Sequence, residues 1–144
     1  METTLQVYTV KQICEGFTYS ETDNKGLYGL AGTLTIQPEY QRNYLYIEDK
    51  GKNEVAVIDS VLKKYPLGLL YFNKTKDGRL EVLDGQQRIT SLGRFCTGKF
   101  SYMLNGKPYK FDSLPKNIRE RIENTRLLAY ICEGEESEIK EWFK

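Results

Sequence analysis

The segment RLEVLDGQQRITSLGRFCTG, residues 79–98, decides the fold because its hydrophobic pattern changes at Gly85. Residues 79–84 have the composition of a short strand. After Gly85, apolar side chains recur at Ile89, Leu92 and Phe95, which is the spacing of an amphipathic helix that ends near Gly98. The segment therefore predicts a strand that passes through a sharp glycine turn directly into a helix.

Patterns on both sides of this segment predict a mixture of strands and helices. Residues 21–32 are rich in glycine and polar side chains and are expected to form a loop, and residues 39–53 an irregular connection. The predicted regular elements are a strand at 33–37, a helix from Glu54 that ends before Pro66, a hairpin of strands 67–74 and 79–84, a hairpin across Asn105-Gly106, a helix at 115–125, a strand at 126–133 and a last helix from Ser137. This irregular order predicts an α+β domain with a small mixed β-sheet and flanking helices.

The composition of the 144-residue chain is that of a single globular domain, 1–144, with 40% hydrophobic and 12% aromatic residues. The chain contains no histidine, which excludes a Ser-His-Asp triad, a Cys-His dyad, a histidine metal cluster and an HNH-type nuclease site within these residues. No apolar run is long enough to span a bilayer, and the N-terminus lacks the features of a signal peptide. We therefore expect a cytoplasmic domain with no membrane partner.

The cysteine pattern and the distribution of charge along the chain further limit the classes of function that are possible. Cys14, Cys96 and Cys132 are odd in number and form no CxxC motif, so we expect three reduced thiols, at least two of them buried. Residues 60–132 carry 14 Lys and Arg against 6 Asp and Glu, although the net charge of the whole chain is only +1. This basic block faces either the phosphates of a nucleotide or of DNA, or solvent as an ordinary protein surface.

The turn Asp84-Gly85-Gln86-Gln87-Arg88 has two interpretations. The first turn of a helix has unpaired N–H groups and the positive end of the helix dipole, which together form an anion site. Arg88 could bind phosphate oxygens there, and Asp84 could hold Mg²⁺ or orient a water. Alternatively, Asp84 is the N-cap of the helix and Gln87 completes a capping box, which is a structural role only. The residues alone leave both interpretations open.

A second polar cluster follows the strand predicted at 33–37. Gln41 and Arg42 lie in the stretch PEYQRNY, residues 38–44. They could close on the same anion as Arg88, or they could belong to a polar loop that is anchored by its aromatic residues.

Three segments together resemble one protein family. IQPEYQRNYLY (36–46), IDSVLKKYPLGLLYF (58–72) and LEVLDGQQRITSL (80–92) occur in this order along the chain. They resemble the DGQQR-motif domain at the N-terminus of GmrSD-type modification-dependent restriction endonucleases and related phage-defence proteins. The resemblance covers residues 30–144, and it implies a ParB- and sulfiredoxin-like fold with a nucleotide-binding cleft.

The resemblance also implies a function and a set of site residues. In characterised relatives the DGQQR motif supports hydrolysis of a nucleoside triphosphate, which regulates a DNA-directed nuclease domain present in cis or in trans. On this chain the implied catalytic residues are Asp84, Gln87 and Arg88, and Asp84 is the implied ligand of a Mg²⁺ that accompanies the nucleotide. The implied nucleotide- and phosphate-binding residues are Gln41, Arg42, Gly85, Gln86 and Arg88.

The sequence departs from the family pattern at several points. Gln37 precedes Pro38 where the family usually has isoleucine, and Tyr46 stands where tryptophan is common. The Phe-x-Arg-x-Asn segment of the family does not occur before Lys144, and the last helix has an apolar face without an evident partner. We therefore expect these residues to be the N-terminal part of a longer protein. The alternative function is a non-catalytic module that binds DNA or a protein through the basic block of residues 60–132.

Overall fold

The computed structural model describes residues 1–38 and 43–143. The strands in this part of the chain are β1 (Glu2–Thr9), β2 (Thr18–Ser20), β3 (Lys25–Gly29), β4 (Leu34–Thr35), β5 (Leu70–Lys74), β6 (Leu80–Asp84), β7 (Tyr102–Leu104), β8 (Lys107–Tyr109) and β9 (Arg126–Glu133). The helices are α1 (Val10–Cys14), α2 (Glu48–Leu62), α3 (Gln86–Cys96), α4 (Lys116–Glu123) and α5 (Glu136–Trp142).

Seven of the strands in the described residues form one mixed sheet, in the order β1-β9-β5-β6-β4-β3-β2. The pairs β5–β9 and β4–β6 are parallel, and the other neighbours are antiparallel. The strands β7 and β8 form a separate hairpin. This architecture confirms the prediction of an α+β domain with a mixed sheet.

The hydrophobic core lies between one face of the sheet and helices α1 to α4. Leu70, Phe72 and Val82 of the central strands are no more than 1% exposed. They belong to one buried cluster with Ile89 and Leu92 of α3. Because side chains alternate along a strand, the core side chains of β5 are every second residue. The amphipathic pattern that predicted α3 is therefore the pattern of residues that seal this core.

The helix α5 packs on the opposite face of the sheet. Tyr71 lies between the two core residues of β5, and its ring centroid is 5.6 Å from that of Trp142 and 5.2 Å from that of Phe143. Ile139 of the same helix is 5% exposed. The apolar face of the last helix, which the sequence left without an evident partner, thus contacts the domain's own sheet.

The prediction of a loop over residues 21–32 is wrong in its centre, where β3 pairs with β2 and β4. The glycines that suggested a loop have a packing role. A Cβ atom on Gly26 would lie 2.4 Å from Oγ1 of Thr90, so glycine lets α3 lie directly against the strand. A close approach of helix and strand selects the same residue as a turn does, and composition does not separate the two.

The N-terminal elements β1 and α1 were not part of the sequence-based prediction. β1 lies at the edge of the sheet and pairs with β9 alone, and its Leu5 and Val7 are 51% and 46% exposed. A signal for α1 was nevertheless present in the sequence. Thr9 and Gln12 form a reciprocal capping box, which is the Thr-x-x-Gln pattern of a helix start.

The remaining predicted elements are confirmed with small shifts of their ends. Helix α2 begins at Glu48 rather than at Glu54, but Asp49, Lys50 and Gly51 have left-handed backbone angles, so its regular part starts close to the predicted residue. The β5–β6 hairpin, α3, the β7–β8 hairpin, α4, β9 and α5 all occur where the sequence placed them. No helix in the described residues is long and apolar enough to cross a membrane.

Candidate functional site

The candidate site lies at the edge of the sheet where the parallel strands β4 and β6 end. The carboxyl ends of parallel neighbours meet at one edge, and ligands commonly bind in the crevice outside them. Asp84 to Arg88 follow β6 at this edge, and Gln37 and Pro38 follow β4. The connection after Pro38 contains Gln41 and Arg42, which lie outside the described residues.

Gly85 forms the turn between β6 and α3. Its φ of +113° is in the left-handed region, and a Cβ atom there would lie 2.4 Å from Cδ2 of Leu70. Backbone conformation and packing therefore both require glycine. Gly85 is also the N-cap of α3, so the N-cap residue supplies no side-chain hydrogen bond to this helix end.

The interpretation of Asp84 as an N-cap with a capping box to Gln87 is therefore wrong. Asp84 is still part of β6, where it pairs with Tyr71, so its backbone is one residue too early to cap the helix. The side chain of Gln87 is hydrogen-bonded to another segment rather than to the cap. The residue at the N-cap of α3 is therefore Gly85 and not Asp84.

The two glutamines of the motif hold different segments of backbone. Gln87 accepts a hydrogen bond from the N–H of Leu45 at 2.7 Å and donates one to the carbonyl oxygen of Asn43 at 3.0 Å. Gln86 donates to the carbonyl oxygens of Val82 and Leu83 at 3.2 and 3.1 Å. Gln87 therefore fixes the backbone at residues 43–45, which follow Gln41 and Arg42 in the sequence.

Arg88 holds the loop before β5. Its guanidinium donates hydrogen bonds to the carbonyl oxygens of Leu67 and Leu69, the latter at 3.1 Å. Its Nη2 lies 3.8 Å from Oδ2 of Asp84, and its side chain is 22% exposed. Arg88 therefore joins the motif turn to the loop at residues 67–69, and its predicted contact with phosphate stays a prediction.

Asp84 presents its carboxylate to solvent at the mouth of the turn. The side chain is 56% exposed, and its ion pair with Arg88 is long. No group of three or more His, Cys, Asp and Glu side chains in the described residues could hold a metal ion by itself. A single accessible carboxylate fits Mg²⁺, which proteins often bind through one or two carboxylates together with substrate phosphates and water.

A cleft of about 710 Å³ opens along β3 and the segment that follows β4. Its lining includes Lys25, Gln37, Pro38 and Asn43, so the two ends of the connection that carries Gln41 and Arg42 both border it. Lys25 is 9% exposed and donates a hydrogen bond to the carbonyl oxygen of Pro38 at 3.2 Å. The cleft and the motif helix are joined through Asn43, whose carbonyl oxygen Gln87 binds.

A buried polar network behind the motif was missed in the sequence. Arg94 of α3 and Glu54 of α2 form an ion pair of 3.0 Å between side chains that are 6% and 5% exposed. The hydroxyl of Tyr44 donates to Glu54 at 2.9 Å and lies 2.7 Å from Oγ of Ser91. Burial is the main cause that raises the pKa of Tyr44, so this phenol stays protonated.

The network reaches the motif through Ser91, whose hydroxyl donates to the carbonyl oxygen of Gln87 at 2.8 Å. The guanidinium of Arg94 also lies over the ring of Tyr19, 4.8 Å from its centroid. A signal for this pair existed in the sequence: Glu54 is four residues before Ile58, on the apolar side of α2. A charged residue on a core-facing helix side needs a buried partner, but helical periodicity does not identify that partner.

Comparison with known proteins adds to this geometry. Residues 22–144 match the model of a family described as the N-terminal domain of GmrSD restriction endonuclease. The chain belongs to this family. The predicted resemblance is confirmed, and the match also includes β3, which the sequence analysis had assigned to a loop. Neither the curated proteins nor the solved structures contain a match to the chain.

Membership of the family places the chain among restriction endonucleases. It indicates DNA and a nuclease domain as the partners of the GmrSD-type protein, in agreement with a role in phage defence. The ParB- and sulfiredoxin-like fold stays a prediction, because no solved structure tests it.

Proposed function

We propose that this domain binds and hydrolyses a nucleoside triphosphate with Mg²⁺ at the Asp84–Arg88 turn, and that this regulates a DNA-directed restriction nuclease. The observation that carries the proposal is the accessible carboxylate of Asp84 beside the start of α3, where the N-cap residue is a glycine. Family membership supplies the nuclease context. A domain of this kind reports nucleotide state to the nuclease and need not cut DNA itself.

The turn supplies two complementary groups to a phosphate. The amides at the start of α3 and the positive end of its dipole attract anionic oxygens. Gly85 allows this turn because its left-handed backbone and its close packing on Leu70 leave no room for a side chain. Mg²⁺, when bound with the nucleotide, neutralises charge on the phosphate oxygens, and Asp84 is the residue that would hold it.

Gln87 and Arg88 have roles as positioning residues in the structure. Gln87 fixes the backbone at Asn43 and Leu45, and Arg88 fixes the loop at residues 67–69. The guanidinium has further N–H donors beyond those two carbonyl bonds, and its side chain is partly exposed at the same mouth. We propose that these donors bind the nucleotide phosphate, and that Gln41 and Arg42, which lie outside the described residues, are further phosphate ligands.

The alternative of a DNA-binding module that uses the basic block is less well supported. Three arginines of residues 60–132 have contacts inside the domain and lie outside the proposed site. Arg94 pairs with Glu54, and Arg79 and Arg121 donate to the carbonyl oxygens of Gly32 and Leu62. Guanidinium groups engaged in this way contribute less to a surface that neutralises DNA phosphates.

The test is Mg²⁺-dependent binding of ATP and GTP to the full chain, measured by calorimetry, together with release of inorganic phosphate. We expect Asp84→Asn to weaken Mg²⁺-dependent binding by at least about tenfold, which corresponds to ~1.4 kcal/mol. The melting temperature should not change, because Asp84 caps no helix and its ion pair is exposed. Asp112→Asn is the matched control, since Asp112 is an exposed aspartate in a short turn away from the site.

Two results would overturn the proposal. The first is wild-type nucleotide affinity and phosphate release in Asp84→Asn. The second is a wild-type chain that binds neither ATP nor GTP but binds DNA with an affinity that falls steeply as the salt concentration rises. That result would favour the DNA-binding module.

A further inference from the structure

Two of the three cysteines lie next to each other, although they are far apart in the sequence. Cys14 is the last residue of α1 and Cys96 is the last residue of α3. Both residues are free and partly exposed, and they line the same surface cavity. The expectation that at least two cysteines are buried is therefore wrong, because only Cys132 is buried among the three. The tertiary packing of α1 on α3 creates a pair of thiols.

This thiol pair opens into a small cavity of about 330 Å³ on the surface. Cys14 and Cys96 both line it, and the other lining residues are Lys11, Glu15, Phe111 and Glu123. Phe111 supplies an apolar wall, and Lys11, Glu15 and Glu123 are the charged residues of the lining. A cavity of this size admits a small molecule to the thiols but excludes a protein domain.

We propose that Cys14 and Cys96 form a reversible modification site that reacts with low-molecular-weight disulfides and closes to an internal disulfide. The geometry that carries the proposal is the position of the two cysteines in one accessible cavity. Two cysteines that lie side by side on packed helices can form a disulfide with little backbone movement. The proposal does not depend on the nucleotide function.

The reaction is a two-step thiol–disulfide exchange. In the first step the thiolate of Cys96 attacks one sulfur of the external disulfide, which forms a mixed disulfide and releases one small thiolate. In the second step the Cys14 thiol loses its proton and attacks Sγ of Cys96, which forms the internal disulfide and releases the second small thiol. The external disulfide is reduced to two thiols, and the two protein thiols are oxidised.

The order of attack follows from the surroundings of Cys14. The hydrogen bond with Cys96 and burial of the thiol raise the pKa of Cys14 well above its ordinary value. A thiol that resists ionisation is a poor first nucleophile. Cys14 becomes competent when the mixed disulfide has formed, because the second step is intramolecular and its sulfur target is adjacent.

The test uses oxidised glutathione as the probe on the wild-type full chain. The chain is incubated over a range of reduced-to-oxidised glutathione ratios, quenched with an alkylating reagent and mapped by mass spectrometry without reduction. We expect a Cys14–Cys96 linked peptide, a loss of two hydrogens from the intact mass, and full reversal by excess reduced glutathione. Cys132 is the internal control, because it is 0% exposed and should stay unmodified in the folded protein.

Variants identify the two roles. In Cys14→Ser the mixed disulfide should accumulate on Cys96, because the resolving thiol is missing. In Cys96→Ser the modification of Cys14 should be slower than that of Cys96 in Cys14→Ser, because burial still raises the pKa of the Cys14 thiol. Thermal unfolding of each variant establishes that it is folded before the thiols are compared.

The wild-type experiment is sufficient to overturn the proposal, so the test does not depend on whether the variants fold. It is overturned if Cys14 and Cys96 stay reduced at high oxidised glutathione while denatured protein reacts at all three cysteines. It is also overturned if wild-type Cys96 keeps glutathione without closure, or if the disulfide that forms includes Cys132.

Discussion

Replacement of Arg94 by methionine should destabilise the domain more than any loss of a surface ion pair. Methionine keeps much of the apolar length of the side chain but removes the charge, and it leaves the carboxylate of Glu54 5% exposed with the Tyr44 hydroxyl as its neighbour. Removal of one partner of a buried pair costs ~3–5 kcal/mol because the remaining charge stays desolvated. For a domain of this size we expect the melting temperature to fall by roughly 10–15 °C.

The matched control is Lys140→Met, which removes an exposed ion pair of similar length. Lys140 and Glu136 are 2.9 Å apart, but their side chains are 75% and 81% exposed. The melting temperature should not change measurably, because solvent screens such pairs. Urea unfolding followed by circular dichroism gives the free energy of unfolding for both variants.

A second variant isolates the buried charge as the cause. Glu54→Gln combined with Arg94→Met leaves no charge in the network, so it should recover part of the stability lost in Arg94→Met alone. The reasoning is refuted if Arg94→Met and Lys140→Met unfold at the same temperature. It is also refuted if the double variant is less stable than the two single changes predict together.

Two further predictions concern other contacts of the fold. Gly26→Ala should lower the free energy of unfolding by ~1–3 kcal/mol, because the new Cβ would lie 2.4 Å from Oγ1 of Thr90. In urea unfolding, Gly26→Ala should cost less free energy when it is combined with Thr90→Ala, because that change removes the clashing hydroxyl. The contact is contradicted if the effects of the two substitutions on the free energy of unfolding are strictly additive. The hydrogen bond to Asp59 raises the pKa of Tyr102 to about 12, so Asp59→Asn should return this pKa towards about 10 in an NMR titration of labelled tyrosine. Lys63 and then Tyr102 lower the pKa of Asp59, so its contribution to stability is present above the ordinary carboxyl pKa and is lost as the pH falls through the lowered value. Wild type and Asp59→Asn should therefore converge in stability at acid pH, and a difference that persists there would contradict this linkage.

Most local elements could be predicted because each is encoded by neighbouring residues. The 3.6-residue period of α3, the Asn105-Gly106 turn and the strand composition before Gly85 are properties of short windows. The DGQQR turn and the order of three segments were also sufficient to predict the family, which the match over residues 22–144 confirms. The sequence alone thus determined the fold class, the position of the candidate turn and the family to which the chain belongs.

The function of individual residues in that turn could not be predicted from short windows. Asp84 and Gln87 have the residue types and spacing of a capping box, but the left-handed backbone of Gly85 moves the helix start by one residue. The side chains of Gln87 and Arg88 then bind the distant segments at residues 43–45 and 67–69. Such partners depend on where the sheet brings those segments, which no local pattern specifies.

Long-range juxtaposition explains the other features that only the tertiary structure decided. The parallel pair β4–β6 brings Pro38, where the connection begins, to the same edge as Asp84, although α2 and β5 lie between β4 and β6 in the chain. Helix packing likewise buries the Glu54–Arg94 pair and brings Cys14 to Cys96. The sequence determines which residues must be buried or bonded, because burial without a partner is costly. Strand order and helix packing determine the partner, because they fix which distant segments meet.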